Sequence, residues 1–222
     1  MNISLINIPL SISNTRYKVK SLFIIILLIG HLFVYCQKPQ EAGILFSNNV
    51  TSYPVAGFSK VFYSQFHPGI DAWRAWKTNE KDVNQFWFAA NAGGYYQRFV
   101  QTAIRLFGTI EYHYVFCERL SAIAGIGFGY VHSFEDNTVL KLNDEGKYEV
   151  KSRVIGRPQY TAQINIGGSI VLKKTDPESM RITMQMRVFI QGPFVNNYVP
   201  MLPINSFSLG ICKPLKCKKN EK

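Results

Sequence analysis

Apolar and polar residues alternate in five segments of the chain. Within each segment every second residue is apolar or glycine, and none of these positions carries a charge. The intervening positions hold most of the polar and small residues. A period of two places successive side chains on opposite faces of a β-strand. The five strands predicted in this way are 86–96, 103–114, 121–131, 160–172 and 181–191.

Two features of these strands favour a membrane barrel over a water-soluble sheet. The segments run for 11–13 residues, whereas soluble strands are most often about 5–6 residues long and a membrane-spanning strand needs about 9–11. Their apolar faces also end in tyrosines, as the aromatic girdle of a membrane barrel would. The alternative is a secreted lipocalin-like barrel or sandwich with the apolar faces turned inward. The tyrosines are Tyr96, Tyr112, Tyr114, Tyr130 and Tyr160.

The links between strands give the chain a topology. Further strands at 54–65, 67–77 and 205–213 bring the count to eight. If the first strand runs outward, the two longest links, 135–157 and 192–204, both fall at the outer end. Membrane barrels carry their long loops at that end, so the loop lengths support the same fold.

The first predicted hairpin fits the pattern least well. Asp71 and Arg74 have opposite parity, so one of them would face lipid unless it lies at a rim or a bulge. The strand predicted at 54–65 is also the least periodic, so counts of seven or ten strands stay open. The predicted fold is all-β, an antiparallel up-and-down transmembrane β-barrel of about eight strands.

An apolar run of 14 residues, 22–35, follows three basic residues near the N-terminus. It is shorter than the roughly 20 residues of a spanning helix, and a basic flank before such a core is typical of a secretory signal. An uncleaved anchor and a buried core helix are the alternatives, and Cys36 is a candidate for lipid attachment. We expect a signal peptide (1–36), an N-terminal periplasmic segment (37–53), the barrel (54–213) and a basic periplasmic tail (214–222), in a protein exported to the bacterial outer membrane.

The formal net charge of +11 in 222 residues changes this picture little. Removing residues 1–36 leaves 22 basic residues (25 − 3) and 14 acidic ones, a net charge of +8. Export argues against nucleic acid as a partner; outer-membrane lipid is the expected one, with an extracellular ligand or surface partner as a further option. Three cysteines remain after the leader, without Cys/His metal spacing, so we expect no disulfide framework, no metal and no cofactor.

The polar faces of the strands supply candidates for the barrel interior. An eight-stranded barrel is just wide enough inside for side chains, and charges buried there must be paired. We therefore expect a polar plug in which Glu111 pairs with Arg105 or Arg187; a narrow ion path through the same residues is the functional alternative. The predicted lumen network comprises Arg105, Glu111, His113, Gln163, Asn165, Gln185 and Arg187. Glycines 125, 127 and 129 face the same way and leave room for larger neighbours.

The outer loops are the expected working surface. Loop 192–204 carries Phe194, Tyr198 and Met201, which would form either an extracellular contact surface or a lid over the barrel mouth. Loop 135–157 contains two short strand-like runs, 139–142 and 147–150, and predicts a hairpin that extends outward.

Four pieces of the chain resemble small outer-membrane β-barrel proteins of the Bacteroidota type. The resemblance rests on aromatic–glycine strands, covers most of residues 54–213, and implies the barrel fold and an outer-membrane location. Such proteins are mostly uncharacterised, so the resemblance implies no functional residue, and the basic tail after Lys213 departs from their usual terminal aromatic. The pieces are FSKVFYSQFHPGIDAW (58–73), AANAGGYYQRFVQTAIRLFGTIEYHY (89–114), AGIGFGYVHSF (124–134) and VPMLPINSFSLGI (199–211).

The leading functional hypothesis is a barrel with a filled lumen and a structural, adhesive or surface-binding role. One alternative is a narrow pore or a passage for a hydrophobic molecule. The other is a lipid-modifying enzyme, for which His132 and Ser133 are the suggestive pair. Adjacent residues of a strand face opposite sides of the sheet, so these two side chains would not meet.

Overall fold

The structure is a computed structural model that describes residues 40–135, 140–143, 145–150, 156–173, 179–194 and 200–215. The predicted signal peptide (1–36), the lipidation candidate Cys36 and most of the predicted basic tail lie outside the described residues. Among the residues described, no helix is both long and apolar enough to span a membrane.

Eight long strands form the body of the molecule, and a short helix and a small hairpin lie in its links. The elements are β1 (Gln40–Thr51), α1 (Lys60–Tyr63), β2 (Pro68–Lys77), β3 (Asn84–Gln97), β4 (Gln101–Cys117), β5 (Leu120–Glu135), β6 (Leu140–Leu142), β7 (Tyr148–Val150), β8 (Arg157–Val171), β9 (Arg181–Gly192) and β10 (Leu202–Leu215).

The long strands close into a barrel in which every neighbouring pair is antiparallel. The order around the barrel is β1-β10-β9-β8-β5-β4-β3-β2, and β1 pairs with both β2 and β10. Following hydrogen-bonded partners once around the wall from Thr51 leads back to β1 at Glu41, a stagger of 51 − 41 = 10 residues. Such a stagger requires the strands to tilt by roughly 35–45° from the barrel axis. The path runs Thr51, Ile204, Phe189, Gln163, Gly127, Thr109, Ala89, Ala75 and Glu41.

The count of eight strands is confirmed, and seven of the predicted strands lie within a few residues of their predicted bounds. The first strand is the exception. It was predicted at 54–65 and lies at Gln40–Thr51, so the barrel wall begins before residue 54, inside the range predicted as a periplasmic segment. The outward positions of β1 include the polar residues Gln40 and Asn48. They weaken the alternation of apolar and polar residues, so the sequence pattern does not identify β1 as a strand.

The apolar faces of the strands look outward. Ile126 in the middle of β5 is 63% exposed, and it pairs with Ile110 on one side and Ile164 on the other, which are exposed to a similar degree. Residues of opposite parity fill the lumen and are mostly buried. This orientation excludes the alternative with the apolar faces inward and is the arrangement of a transmembrane barrel.

The links differ at the two ends of the barrel. We call the end that carries links 52–67, 98–100, 136–156 and 193–201 the outer end; the inner end carries links 78–83, 118–119 and 172–180 and the first and last strand ends. The predicted hairpin in the link 136–156 is confirmed by the pairing of β6 with β7. The two longest links, 52–67 and 136–156, both lie at the outer end, which matches the predicted orientation.

Placing an arginine at Ile126 should lower the free energy of unfolding in phospholipid vesicles by about 2–4 kcal/mol, because the side chain would lie mid-membrane. Tyr148, in the outer hairpin, is 74% exposed, and Tyr148→Arg is the matched control that should leave stability unchanged. Urea titration of both vesicle-inserted variants measures the difference. Equal, small effects would contradict a lipid-facing position for Ile126.

Candidate functional site

The lumen holds the polar side chains that the strand pattern predicted. Inward positions are odd-numbered in the seven long strands from β1 to β9 and even-numbered in β10. All seven predicted lumen residues are buried there, at 7% exposure or less: Arg105, Glu111, His113, Gln163, Asn165, Gln185 and Arg187.

The central ion pair differs from the predicted one. Asp71 is wholly buried and accepts hydrogen bonds from Nε and Nη2 of Arg105, at 2.8 and 2.6 Å, and from Nη1 of Arg187, at 3.1 Å. The prediction that Glu111 pairs with one of these arginines is therefore wrong. Asp71 was missed because Arg74, three residues on, made the parity of this strand ambiguous. Arg74 faces outward near the inner rim and donates to Oε1 of Gln40 at 2.5 Å.

One carboxylate facing two guanidinium groups leaves a positive charge that the surroundings must accommodate. The Arg105 guanidinium carbon lies 4.4 Å from the ring centre of Phe189 and 5.3 Å from that of Tyr95. Aromatic faces attract cations, most strongly when both are removed from water. Arg187 also donates from Nε to Oε1 of Gln185 at 2.7 Å. The layer is thus held by a bridging carboxylate, aromatic faces and a neutral amide together.

A second polar cluster lies nearer the inner end. Glu111 lies 3.0 Å from Nε2 of His113 and accepts longer hydrogen bonds from Thr109 and Asn165. The His113 ring stacks on Trp87 at 5.5 Å between centres. The partner of Glu111 is therefore a histidine on its own strand, two residues away and on the same face.

An ion pair between Glu41 and Arg181 lies at the inner end of the lumen. Glu41 is buried, whereas the Arg181 side chain is about one-quarter exposed. Because β1 was predicted elsewhere, neither this acid nor its pairing could be placed from the sequence.

A layer of amides closes the lumen at the outer mouth. Gln101 and Gln191 exchange hydrogen bonds of 3.2 Å, and the Tyr95 hydroxyl donates to Gln191 at 2.6 Å and accepts from Gln101 at 2.7 Å. Gln191 also donates to Gln159, whose amide nitrogen donates to the carbonyl of Pro193 at 2.7 Å. Glutamines near strand ends also occur on solvent-exposed surfaces, so their presence in the sequence did not indicate a buried layer.

The inward glycines make space for these groups, as predicted. A methyl group at Gly125 would lie 2.7 Å from Oδ1 of Asn165 and 2.9 Å from Cγ of Glu111. Gly127 is bordered in the same way by Thr109 and Gln163. Side chains at these positions would displace the inner polar cluster.

Phe194 is half-buried and packs against the apolar cluster of the outer lumen to which Tyr95 and Phe189 belong. Its carbonyl accepts a 2.6 Å hydrogen bond from Arg157, whose guanidinium carbon lies 5.0 Å from its ring centre. Phe194 therefore belongs to a lid over the mouth. Met201 is 52% exposed, and Tyr198 lies outside the described residues.

His132 and Ser133 lie on opposite sides of the wall. His132 faces outward, where its Nδ1 lies 2.7 Å from the Tyr130 hydroxyl, and Ser133 is wholly buried in the lumen. The pair named for a lipid-modifying enzyme therefore does not assemble.

No protein-family model and no curated protein sequence matches the chain. Among solved structures, Neisserial surface protein A is 11% identical with a TM-score of 0.49, over 79% of this chain and 95% of that one. The outer membrane enzyme PagL is 8% identical with a TM-score of 0.45, over 79% of this chain and 99% of that one. Ail of Yersinia pestis, in complex with the heparin analogue sucrose octasulfate, is 10% identical with a TM-score of 0.38, over 80% and 97%.

Asp71→Asn should lower the free energy of unfolding by about 3–5 kcal/mol, because it leaves two buried guanidinium groups without a counter-charge. Adding Arg187→Met to this variant should recover part of the loss. The control is Asp82→Asn, which removes an acid that is 99% exposed and lies 3.7 Å from Lys77; exposed pairs contribute little. Denaturant titration in vesicles distinguishes the variants, and equal effects at positions 71 and 82 would refute the central pair.

Proposed function

We propose that the chain is an integral protein of the bacterial outer membrane with a closed, non-conducting barrel. In this proposal the barrel is a scaffold that presents its outer loops for a structural, adhesive or surface-binding role. The expected partners are outer-membrane lipid and an extracellular ligand or surface, and export depends on the predicted signal peptide.

The outward apolar band supports the membrane location. Ile110, Ile126 and Ile164 lie side by side at mid-barrel, and each is more than half exposed. Exposing such a continuous apolar surface to water would be unfavourable. In lipid the same band is favourable, and closure of the sheet satisfies every strand edge. Tyr96 and Tyr130 near the outer rim and Tyr112 near the inner rim have the positions expected of interfacial aromatics.

The filled lumen is the observation that carries the closed-barrel proposal. Three polar layers follow one another along the barrel: the amide layer around Gln191, the Asp71 layer and the Glu111 cluster. Within each layer, side chains from different strands form hydrogen bonds across the lumen. An eight-stranded barrel leaves no width beyond such side chains. The same residues therefore support a plug better than an ion path.

The outer links support a role at the surface. The β6–β7 hairpin pairs only with itself among the described strands, so the barrel does not depend on it. Tyr148 on this hairpin, Met201 and Phe99 are exposed apolar or aromatic side chains on outer links. Exposed side chains of this kind on loops of a rigid scaffold are typical of contact surfaces.

Purified protein in planar lipid bilayers should give no discrete current steps, because the lumen is closed at three levels. Insertion is checked in the same preparation by the electrophoretic shift of the folded barrel on heating. Discrete openings whose size changes in an Arg187→Ser variant would replace this proposal with a pore.

Deleting residues 140–150 and joining the ends with two glycines should leave barrel folding and surface display unchanged. Cells that display the shortened protein should adhere to host-cell monolayers or abiotic surfaces several-fold less than cells with the full chain. Tyr148→Ser in the intact hairpin is the milder variant. Equal adhesion by all three would contradict an adhesive role for the hairpin.

A further inference from the structure

The link between β1 and β2 folds back over the outside of the barrel wall. We call residues 52–67 the arm. Asn48 of β1 donates to the Val61 carbonyl at 2.7 Å and accepts from the His67 backbone nitrogen at 2.7 Å. Asn205 of β10 donates to the Ser52 hydroxyl at 2.6 Å and to the Tyr53 carbonyl at 2.9 Å.

The positions of these two asparagines are unusual. Both face outward, next to apolar outward residues such as Phe46 and Phe207, and Asn205 is nevertheless wholly buried because the arm covers it. A bare amide facing lipid would be costly, and these amides instead bind the backbone and a hydroxyl of the arm. Aromatic packing adds to the attachment, since the rings of Phe62 and Phe207 lie 5.3 Å apart. The arm is therefore fixed to the wall at both ends.

An apolar groove of about 430 Å³ lies between the arm and the wall. The arm contributes Pro54, Val55 and Phe58, and the wall contributes outward side chains of β8 and β9, among them Ile164, Met186 and Val188. Among the residues that the structure describes, none with a charged side chain lines it. Ile164 and Val188 are direct cross-strand partners within the outward apolar band. The groove therefore opens toward the surroundings of the barrel, and its volume is in the usual range for small-molecule sites, about 300–1,000 Å³.

Outside the groove lining, the arm has the composition of a membrane-interface segment. Tyr53, Phe62, Tyr63 and Phe66 are largely exposed. Residues 52–67 contain no acidic residue and one lysine, Lys60, two positions after the groove residue Phe58. Aromatic side chains favour the headgroup level, and a lysine can reach a lipid phosphate from there.

We propose that this groove binds one acyl chain of an outer-leaflet lipid whose phosphate lies close to Lys60. The proposal rests on the membrane location proposed above, because the groove is continuous with the outward apolar band. A chain that moves from bilayer to groove gains no hydrophobic energy, since lipid is as apolar as the lining. Selection then depends on fit and on the phosphate–lysine attraction, so we expect a several-fold enrichment over free exchange with bulk lipid.

The test uses the full barrel in vesicles that contain phosphatidylglycerol with a diazirine on one acyl chain. After irradiation, mass spectrometry should find labels concentrated on peptides with Phe58 and Met186. Val188→Trp fills the groove and should lower this labelling at least fivefold, and Ala162→Leu, a smaller filling on the same wall, should lower it in the same direction. Leu106→Trp is the matched control: Leu106 is an exposed outward residue of β4, which adjoins neither β8 nor β9 in the barrel, so this change should leave the labelling as it is.

The headgroup is tested separately with Lys60→Glu. This variant should reduce labelling by the phosphatidylglycerol probe several-fold more than labelling by a zwitterionic phosphatidylcholine that carries the same diazirine chain. Labels spread evenly around the barrel, or indifferent to Val188→Trp, would overturn the groove proposal. Cross-linking of groove residues to a second copy of the chain would also overturn it, in favour of a dimer contact. Protein that stays out of the vesicles, without the heating shift, would overturn the proposed membrane location instead.

Discussion

Closure of the hydrogen-bonded wall between β1 and β10 is the constraint on which the rest of the structure depends. A sheet with open edges would leave backbone groups unpaired, which is unfavourable wherever water is absent. Once the wall is closed, its outward side chains can be apolar and the polar ones are forced into a narrow interior. Every group in that interior then needs a partner, since water has little room there. The Asp71 bridge, the Glu111 cluster and the amide layer are consequences of that one closure.

Much of this fold could be predicted because a strand with one lipid-facing side must alternate along its whole length. The pattern located seven strands, their faces and the inward position of all seven proposed lumen residues. It failed at β1, where the arm covers Asn48 and so permits a polar residue on an outward position. A prediction from alternation requires every outward side chain to contact lipid. Asn48 contacts the arm instead, so it does not follow that rule. The aromatic sequence of the arm then attracted the strand prediction to 54–65.

The pairings inside the lumen were beyond the sequence for a different reason. Parity decides which face a residue is on, but the stagger of ten residues decides which residues share a level. Asp71 and Arg187 come from strands that are not neighbours in the wall, and they meet only because the stagger brings them to one height. With β1 misplaced, the stagger could not be derived. Parity alone made Glu111 a reasonable partner for Arg105 or Arg187, because all three face the lumen. Glu111 lies at a different height along the barrel axis, so the pairing does not form.

The distribution of charge in the lumen argues for a permanent plug. Asp71, Glu41 and Glu111 lie with Arg105, Arg181 and Arg187, and each of these six groups already bonds a fixed neighbour from the described strands. Ion conduction needs sites that hold an ion well enough to admit it and weakly enough to release it. Here an anion would have to displace Asp71 from two guanidinium groups, and a cation would have to pass the positive excess of that same layer. Both routes are opposed at the level of Asp71, which supports the proposal that an outside partner meets the outer links or the outward wall.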